Sequence, residues 1–166
     1  MAAIDYVYDM IDTHAIESSV APMDRVTGTN VIKIVVAYDD TTIEYRNGKF
    51  LVPGDLDTAG TVTFTVWTQA KTGAASKNVV LRFDHIAIAD DEDHDGTAYT
   101  SENSGDQSMS ATQDHITVVE WTETVSNLGW AADDLVYWRL SRQAAASNDL
   151  SGDLYVEMMR VNIPTS

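Results

Sequence analysis

Cysteine is absent from the 166 residues. That excludes structural disulfides, thiolate zinc sites, iron–sulfur clusters and a cysteine nucleophile. Proline occurs 3 times and glycine 9 times, too rarely for a collagen-like repeat or a Pro/Gly-rich disordered chain. Basic side chains are few: 4 Lys and 6 Arg stand against 26 acids, 19 of them Asp, for a formal net charge of −16. A field of that sign repels phosphates and anionic lipid, so neither nucleic acid nor a membrane surface is expected as a partner. It keeps a densely displayed protein soluble, and it is tolerated best in salt or around divalent cations. No run reaches the ~18 apolar residues that cross a bilayer. Residues 1–10, interrupted by Asp5 and Asp9, lack the basic start and unbroken apolar stretch of an export signal, so synthesis without export is expected.

What is present is a globular composition, 44% apolar and 22% charged, of a length suited to one domain with a real core. From residue 30 onward the apolar period is two. Val31 to Tyr38 is too short and too β-branched for a helix, and Thr42 to Arg46 and Lys49 to Val52 flank Asn47-Gly48, the strongest two-residue hairpin signal. Thr61 to Thr68 alternates threonine with Val62, Phe64 and Val66, giving one core face and one wet face. Asn78 to Ala89 places Val79, Leu81 and Phe83 on one face, then switches to Ile86 and Ile88, which predicts a bulge near Asp84-His85. Ile116 to Val125, Leu135 to Arg142 and Leu154 to Ile163 complete the strands. Helix is nearly missing, with a turn or two expected only at Thr13 to Val20 and Arg142 to Ser147. About eight short strands without intervening amphipathic helices predict an all-β fold, an antiparallel β-sandwich or barrel.

Residues 1–29 read differently. Ile4, Tyr6, Tyr8 and Met10 alternate, but Glu17, Ser18, Ser19 and Pro22 break the pattern. Two readings stay open: an extended N-terminal arm that pairs with something outside the 30–166 domain, or a first strand laid on the chain's own sheet.

The marks along the strands are Phe50-Leu51-Val52-Pro53 with Asp55 and Asp57, Val62 to Trp67, Val79 to Phe83 before an acidic loop, Trp130 to Arg142, and Asn148 to Asp153 before the last strand. In this order they resemble the jelly-roll module of tailed-phage virion proteins. The resemblance covers about residues 30–163. It implies a jelly-roll β-sandwich for display and assembly, not a reaction: a capsid decoration protein of a bacteriophage head, bound to the major capsid protein or another virion protein and located in the virion. A homotrimer is expected by analogy. A virion fibre or receptor-binding tip is the neighbouring reading, and a non-catalytic carbohydrate-binding module with a surface glycan as partner is the alternative from another class.

Residue chemistry agrees that no reaction is encoded. The sequence has no Gly-x-Ser-x-Gly elbow, no His-Glu-x-x-His and no phosphate loop. Val136, Trp138 and Leu140 are expected to face inward, with Arg139 and Arg142 pairing Asp149 or Asp153 across the following turn. Trp67, Trp121 and Trp130 are either core or a sugar platform. His85 and His115 could meet across strands as a two-histidine site. The most literal motif lies in the polar stretch from Asp90 to about Gln113. Asp91, Asp93, Asp95, Gly96 and Glu102 follow the ligand spacing of a twelve-residue calcium loop, so calcium is the one cofactor the sequence suggests, with Asp91, Asp93, Asp95 and Glu102 as ligands.

Overall fold

The period-two segments become strands whose apolar sides face each other across the gap between two antiparallel sheets. The computed structural model describes residues 2–13, 19–27, 30–72, 74–93, 97–112 and 115–166. Among these the strands are β1 (Ala2–Asp9), β2 (Met23–Thr27), β3 (Ile32–Tyr38), β4 (Tyr45–Leu51), β5 (Thr61–Ala70), β6 (Asn78–Ile88), β7 (Thr100–Asn103), β8 (Gln107–Ser108), β9 (Thr117–Thr124), β10 (Leu135–Gln143) and β11 (Leu154–Thr165). The described residues hold only a short 3-10 turn at Met10–Asp12 and one helical turn, α1 (Val125–Leu128). One sheet has the order β2-β3-β11-β5-β9 with β1 also on β11, and the other β4-β10-β6-β7 with β8 on β6. The fold is an all-β sandwich of jelly-roll type. No helix among the described residues is long and apolar enough to cross a membrane.

The core lies where the alternation places it. Phe64 and Val66 of β5, Met159 and Val161 of β11, Leu81 and Phe83 of β6, and Val136, Trp138 and Leu140 of β10 are all buried. The Phe64 ring stacks on Trp121 at 5.0 Å and packs on Phe83 at 4.8 Å, joining the sheets through aromatic contact. Each such side chain removed from water contributes roughly 1.5–3 kcal/mol.

Ala2–Asp9 lies antiparallel along β11, Ala2 opposite Thr165 and Asp9 opposite Met158. Residues 2–9 thus form a strand on the chain's own sheet. Two tyrosines secure it to the opposite sheet. The Tyr6 hydroxyl donates to the Leu51 carbonyl and its ring stacks on Phe50 at 5.0 Å. The Tyr8 hydroxyl donates to the Lys49 carbonyl at 2.9 Å, and its ring meets the edge of Trp138.

Two local expectations are corrected. Asn47-Gly48 is not a hairpin turn, since β4 runs straight through it and pairs Gly48 with Trp138. The glycine is required because a Cβ there would lie 2.3 Å from Trp138 Cζ2, so it serves close packing rather than a positive φ. Nor does β6 bulge at Asp84-His85, because its register with β10 is unbroken from Ile88↔Leu135 to Val80↔Gln143. Ile86 and Ile88 simply lie on the outer side, and His85 takes an inward position. The register shift occurs instead in β11, between Val156 and Met158. There β3 ends its pairing with β11 and β1 begins, so the Ile32–Val35 part of β3 pairs with β2 alone.

Thr13 to Val20, expected to turn helically, lies largely outside the described residues. Arg142 to Ser147 starts inside β10 and forms no helix.

Candidate functional site

The outer side of the five-stranded sheet carries a polar and aromatic cluster around one buried carboxylate. In β6 the outward positions are Val80, Arg82, Asp84, Ile86 and Ile88. Register brings Arg139 of β10 opposite Asp84 on one side and Ser101 of β7 opposite it on the other. Asp84 is 1% exposed, so its charge must be matched within the protein. Arg139 Nε donates to Asp84 Oδ2 at 2.8 Å, the Ser101 hydroxyl donates to Oδ1 at 2.5 Å, and Arg82 Nε stands 3.0 Å from Oδ1. The Arg139 guanidinium packs over two rings, Tyr45 at 4.3 Å and Tyr99 at 4.2 Å. Arg82 Nη2 donates to the Tyr45 hydroxyl at 3.3 Å. Each aromatic is thereby fixed by a cation which is itself fixed by Asp84, a preorganised arrangement.

Around this centre lie Tyr137, 38% exposed like Tyr99, and Lys49, which pairs with Tyr137 across β4. Asn47 is paired with Arg139, and its buried Oδ1 accepts no hydrogen bond. Half-exposed tyrosine faces and two anchored guanidinium groups suit a flat, hydroxyl-rich ligand, with ring faces for its C–H surfaces and polar groups for its hydroxyls.

The residues singled out in the sequence are distributed otherwise. Trp121 and Trp130 are buried in the core, so neither is a surface platform. Trp67 is half-buried on the outer side of the six-stranded sheet, with the Arg160 guanidinium 5.8 Å from its ring. His85 faces inward and accepts from Trp130 Nε1 through Nδ1 at 3.1 Å, and burial lowers its pKa to about 4. His115 is exposed, so the two histidines do not share an environment. Arg139 serves Asp84 rather than Asp149 or Asp153. Arg142 does approach Asp149, at 3.7 Å, but donates mainly to the Leu150 and Gly152 carbonyls. Asp153 pairs with Lys71.

Of the proposed calcium ligands, Asp91 and Asp93 are exposed and Asp95 lies outside the described residues. Glu102 is in β7 opposite Phe83, and burial together with the nearby Glu123 carboxylate raises its pKa. Among the described residues no three metal-capable side chains are gathered.

Sequence patterning did not show the Asp84 centre because its parts come from β4, β6, β7, β10 and the stretch before β7. The available signal was an Asp in a strand position, flanked two residues earlier by Arg82. An unmatched carboxylate at such a place demands cations from neighbouring strands.

No protein-family model matches this chain, and no curated protein matches it in sequence. Solved structures do share its fold. A xylan-binding module, CBM15, is similar with TM-score 0.50 and 12% identity, covering 99% of each chain. The CBM27-1 module of Caldicellulosiruptor saccharolyticus, solved with mannohexaose, is similar with TM-score 0.42 and 11% identity, over 95% of this chain and 96% of that one. A protein of infectious bursal disease virus, strain Gx, is similar with TM-score 0.43 and 8% identity. All of this chain aligns there, spanning only 34% of the viral one. At these identities the likeness is one of fold.

Proposed function

We propose that the protein is a non-catalytic glycan-binding module and that the outer side of the five-stranded sheet is its binding face. The observation that carries this reading is the Tyr45–Arg139–Tyr99 assembly over buried Asp84, with Tyr137 beside it. The fold shared with a xylan-binding module supports the same reading.

The test is oligosaccharide binding by the full chain, measured by array and then by calorimetry. Tyr137→Ala and Tyr99→Ala are expected to weaken binding about ten-fold or more each, since stacking and burial of such a ring are worth ~1–2 kcal/mol. Trp67→Ala, on the opposite sheet, leaves binding unchanged. Loss on Trp67→Ala with retention in both tyrosine variants would move the site to the other face.

A second reading, a decoration protein on a phage head, is favoured by the β2–β3 hairpin. This hairpin leaves Met23, Val31, Ile32 and Ile34 each more than half exposed, an apolar group suited to burial in an assembly. Co-purification with intact particles in hundreds of copies would favour that reading, and its absence alongside glycan binding would dismiss it.

A further inference from the structure

β1 has two edges, and the fold uses one of them. At the end of β11 the Pro164 carbonyl accepts from Asp57 N, and Ser166 N donates to the Asp55 carbonyl, both on the side away from β1. Bonding sides alternate along an antiparallel strand. Val161, Ile163 and Thr165 therefore turn their N–H and C=O groups to β1, where they face Tyr6, Ile4 and Ala2. It follows that the amides and carbonyls of Ala3, Asp5 and Val7 point out of the sheet, and among the described residues no hydrogen bond reaches them. Exposed apolar side chains border the same edge. Ile4 is 40% and Val7 56% exposed, and Tyr6 and Tyr8 are half-buried beside Phe50 and Trp138. Leu51, whose carbonyl holds the Tyr6 hydroxyl, is exposed as well. An open strand edge flanked by apolar side chains is a template for another strand.

We propose that β1 pairs with β1 of a second copy of this chain, antiparallel about a two-fold axis between the two Tyr6 residues, so that two six-stranded sheets join edge to edge. Charge selects this register. A centre at Asp5 sets that carboxylate against its own copy, and a centre at Val7 sets Asp5 against Asp9 twice, and like charges directly opposite are destabilising. A centre at Tyr6 sets Asp5 against Val7 of the second copy and Ala3 against Asp9, with the outward backbone groups of Asp5 and Val7 bonded across the axis. On the inner side it sets Ile4 against Tyr8 and Tyr6 against Tyr6, so the exposed apolar groups cover one another. The net charge of −16 on each chain opposes the approach, which makes the dimer weak at low ionic strength and lets salt strengthen it. An axis normal to the sheet leaves both five-stranded sheets on one side, with their outer faces pointing the same way. Two glycan-binding faces so placed engage one polysaccharide surface together, although the pairing itself does not rest on the glycan-binding reading.

The experiment is analytical sedimentation of the full chain from micromolar to millimolar concentration, at low and at high NaCl. A monomer–dimer equilibrium that tightens with salt is expected. Val7→Asp puts a carboxylate opposite Asp5 at two symmetric places and should weaken the dimer several-fold, while Val7→Lys puts an ammonium there and should tighten it. Val118→Lys, at an exposed position on β9, makes the same change in net charge away from the interface and should shift the equilibrium far less. Amide exchange on the unaltered chain reads the register directly. The Asp5 and Val7 amides should slow as concentration rises, whereas those of Ile4 and Tyr6, already bonded to β11, are slow throughout. A chain that stays monomeric at millimolar concentration in high salt, a trimer, a dimer indifferent to both Val7 substitutions, or Asp5 and Val7 amides that exchange alike at all concentrations would overturn the proposal. None of these outcomes bears on glycan binding, which is tested separately.

Discussion

Gly48 sits in the middle of β4 with Trp138 where its side chain would be, and this contact makes a sharp test of packing. A Cβ added at Gly48 meets Trp138 Cζ2 at 2.3 Å and Cε2 at 2.6 Å. The indole is fully buried and pressed by Tyr8 and Phe83, so it cannot give way cheaply. Gly48→Ala should therefore destabilise by ~1–3 kcal/mol, the usual range for overpacking, although alanine has better backbone propensity than glycine in a strand. Urea denaturation checks this; an unchanged midpoint would mean that the indole moves aside. His85 offers a second test, on pH. Its pKa is lowered to about 4 by burial, partly opposed by the Asp84 charge, so the unfolded chain binds the proton more readily than the folded one. Stability is therefore full above pH 6.5, falls as the pH drops towards about 4, and levels off below it. The loss is about 3 kcal/mol for a depression of this size. His85→Gln keeps an acceptor for Trp130 Nε1 and cannot titrate, so the difference between the two pH profiles isolates the histidine. Parallel profiles from pH 7 to 4 would contradict the assignment.

At the scale of elements, alternation made several strands legible: Thr61 to Thr68 and Leu135 to Arg142 lie in β5 and β10 with the expected apolar face inward, and Val31 to Tyr38 and Leu154 to Ile163 match β3 and β11 to within a residue or two at their ends. Where reading failed, the cause was tertiary. Asn47-Gly48 carries the local chemistry of a turn, but the demand of Trp138 for space determines its place in a strand. The face change at Ile86 and Ile88 came from a sheet whose outer side is itself partly covered, so period two alone could not say which side was core. The candidate site was less legible, since Tyr45, Arg82, Asp84, Tyr99 and Arg139 share no local spacing and meet only through register. β1 gives the prediction proper to this scale. Deleting residues 1–9 removes the Tyr6 and Tyr8 rings from Phe50 and Trp138 and leaves Met158–Thr165 of β11 as a bare edge. The truncated chain should lose several kcal/mol, as burial of two aromatic side chains implies, and gain a tendency to associate through that edge. A midpoint unchanged from the full chain, with the same elution volume, would assign β1 no part in holding the sandwich.

For the whole molecule, charge is the property that composition states most plainly and the fold must accommodate. With 26 acids against 10 bases, compaction brings like charges together, and self-repulsion opposes folding. Among the described residues the ion pairs that oppose this include Lys33–Glu157, Lys71 with Asp24 and Asp153, and Arg160–Asp5, all at or near the surface. Exposed pairs contribute at most about 1 kcal/mol each. Salt weakens both effects, so the sign of its action on stability shows which is larger. The Debye length falls from 30 Å at 0.01 M to 3 Å at 1 M. Over that range repulsion among many aspartates a Debye length or more apart is removed, while the Asp84 centre, buried beneath Arg82 and Arg139, is screened little. Repulsion should therefore be the larger loss, and Tm should rise with NaCl by roughly 2–6 °C, the shift that ~1–2 kcal/mol gives a domain of this size. Potassium chloride should act equally, because screening depends on ionic strength and not on the cation. A Tm that falls with salt would show that the surface pairs outweigh the net charge. The Asp84→Asn variant separates the two contributions: it should lower Tm at every salt concentration by a nearly constant amount, since the interaction it removes lies below the reach of the screening ions.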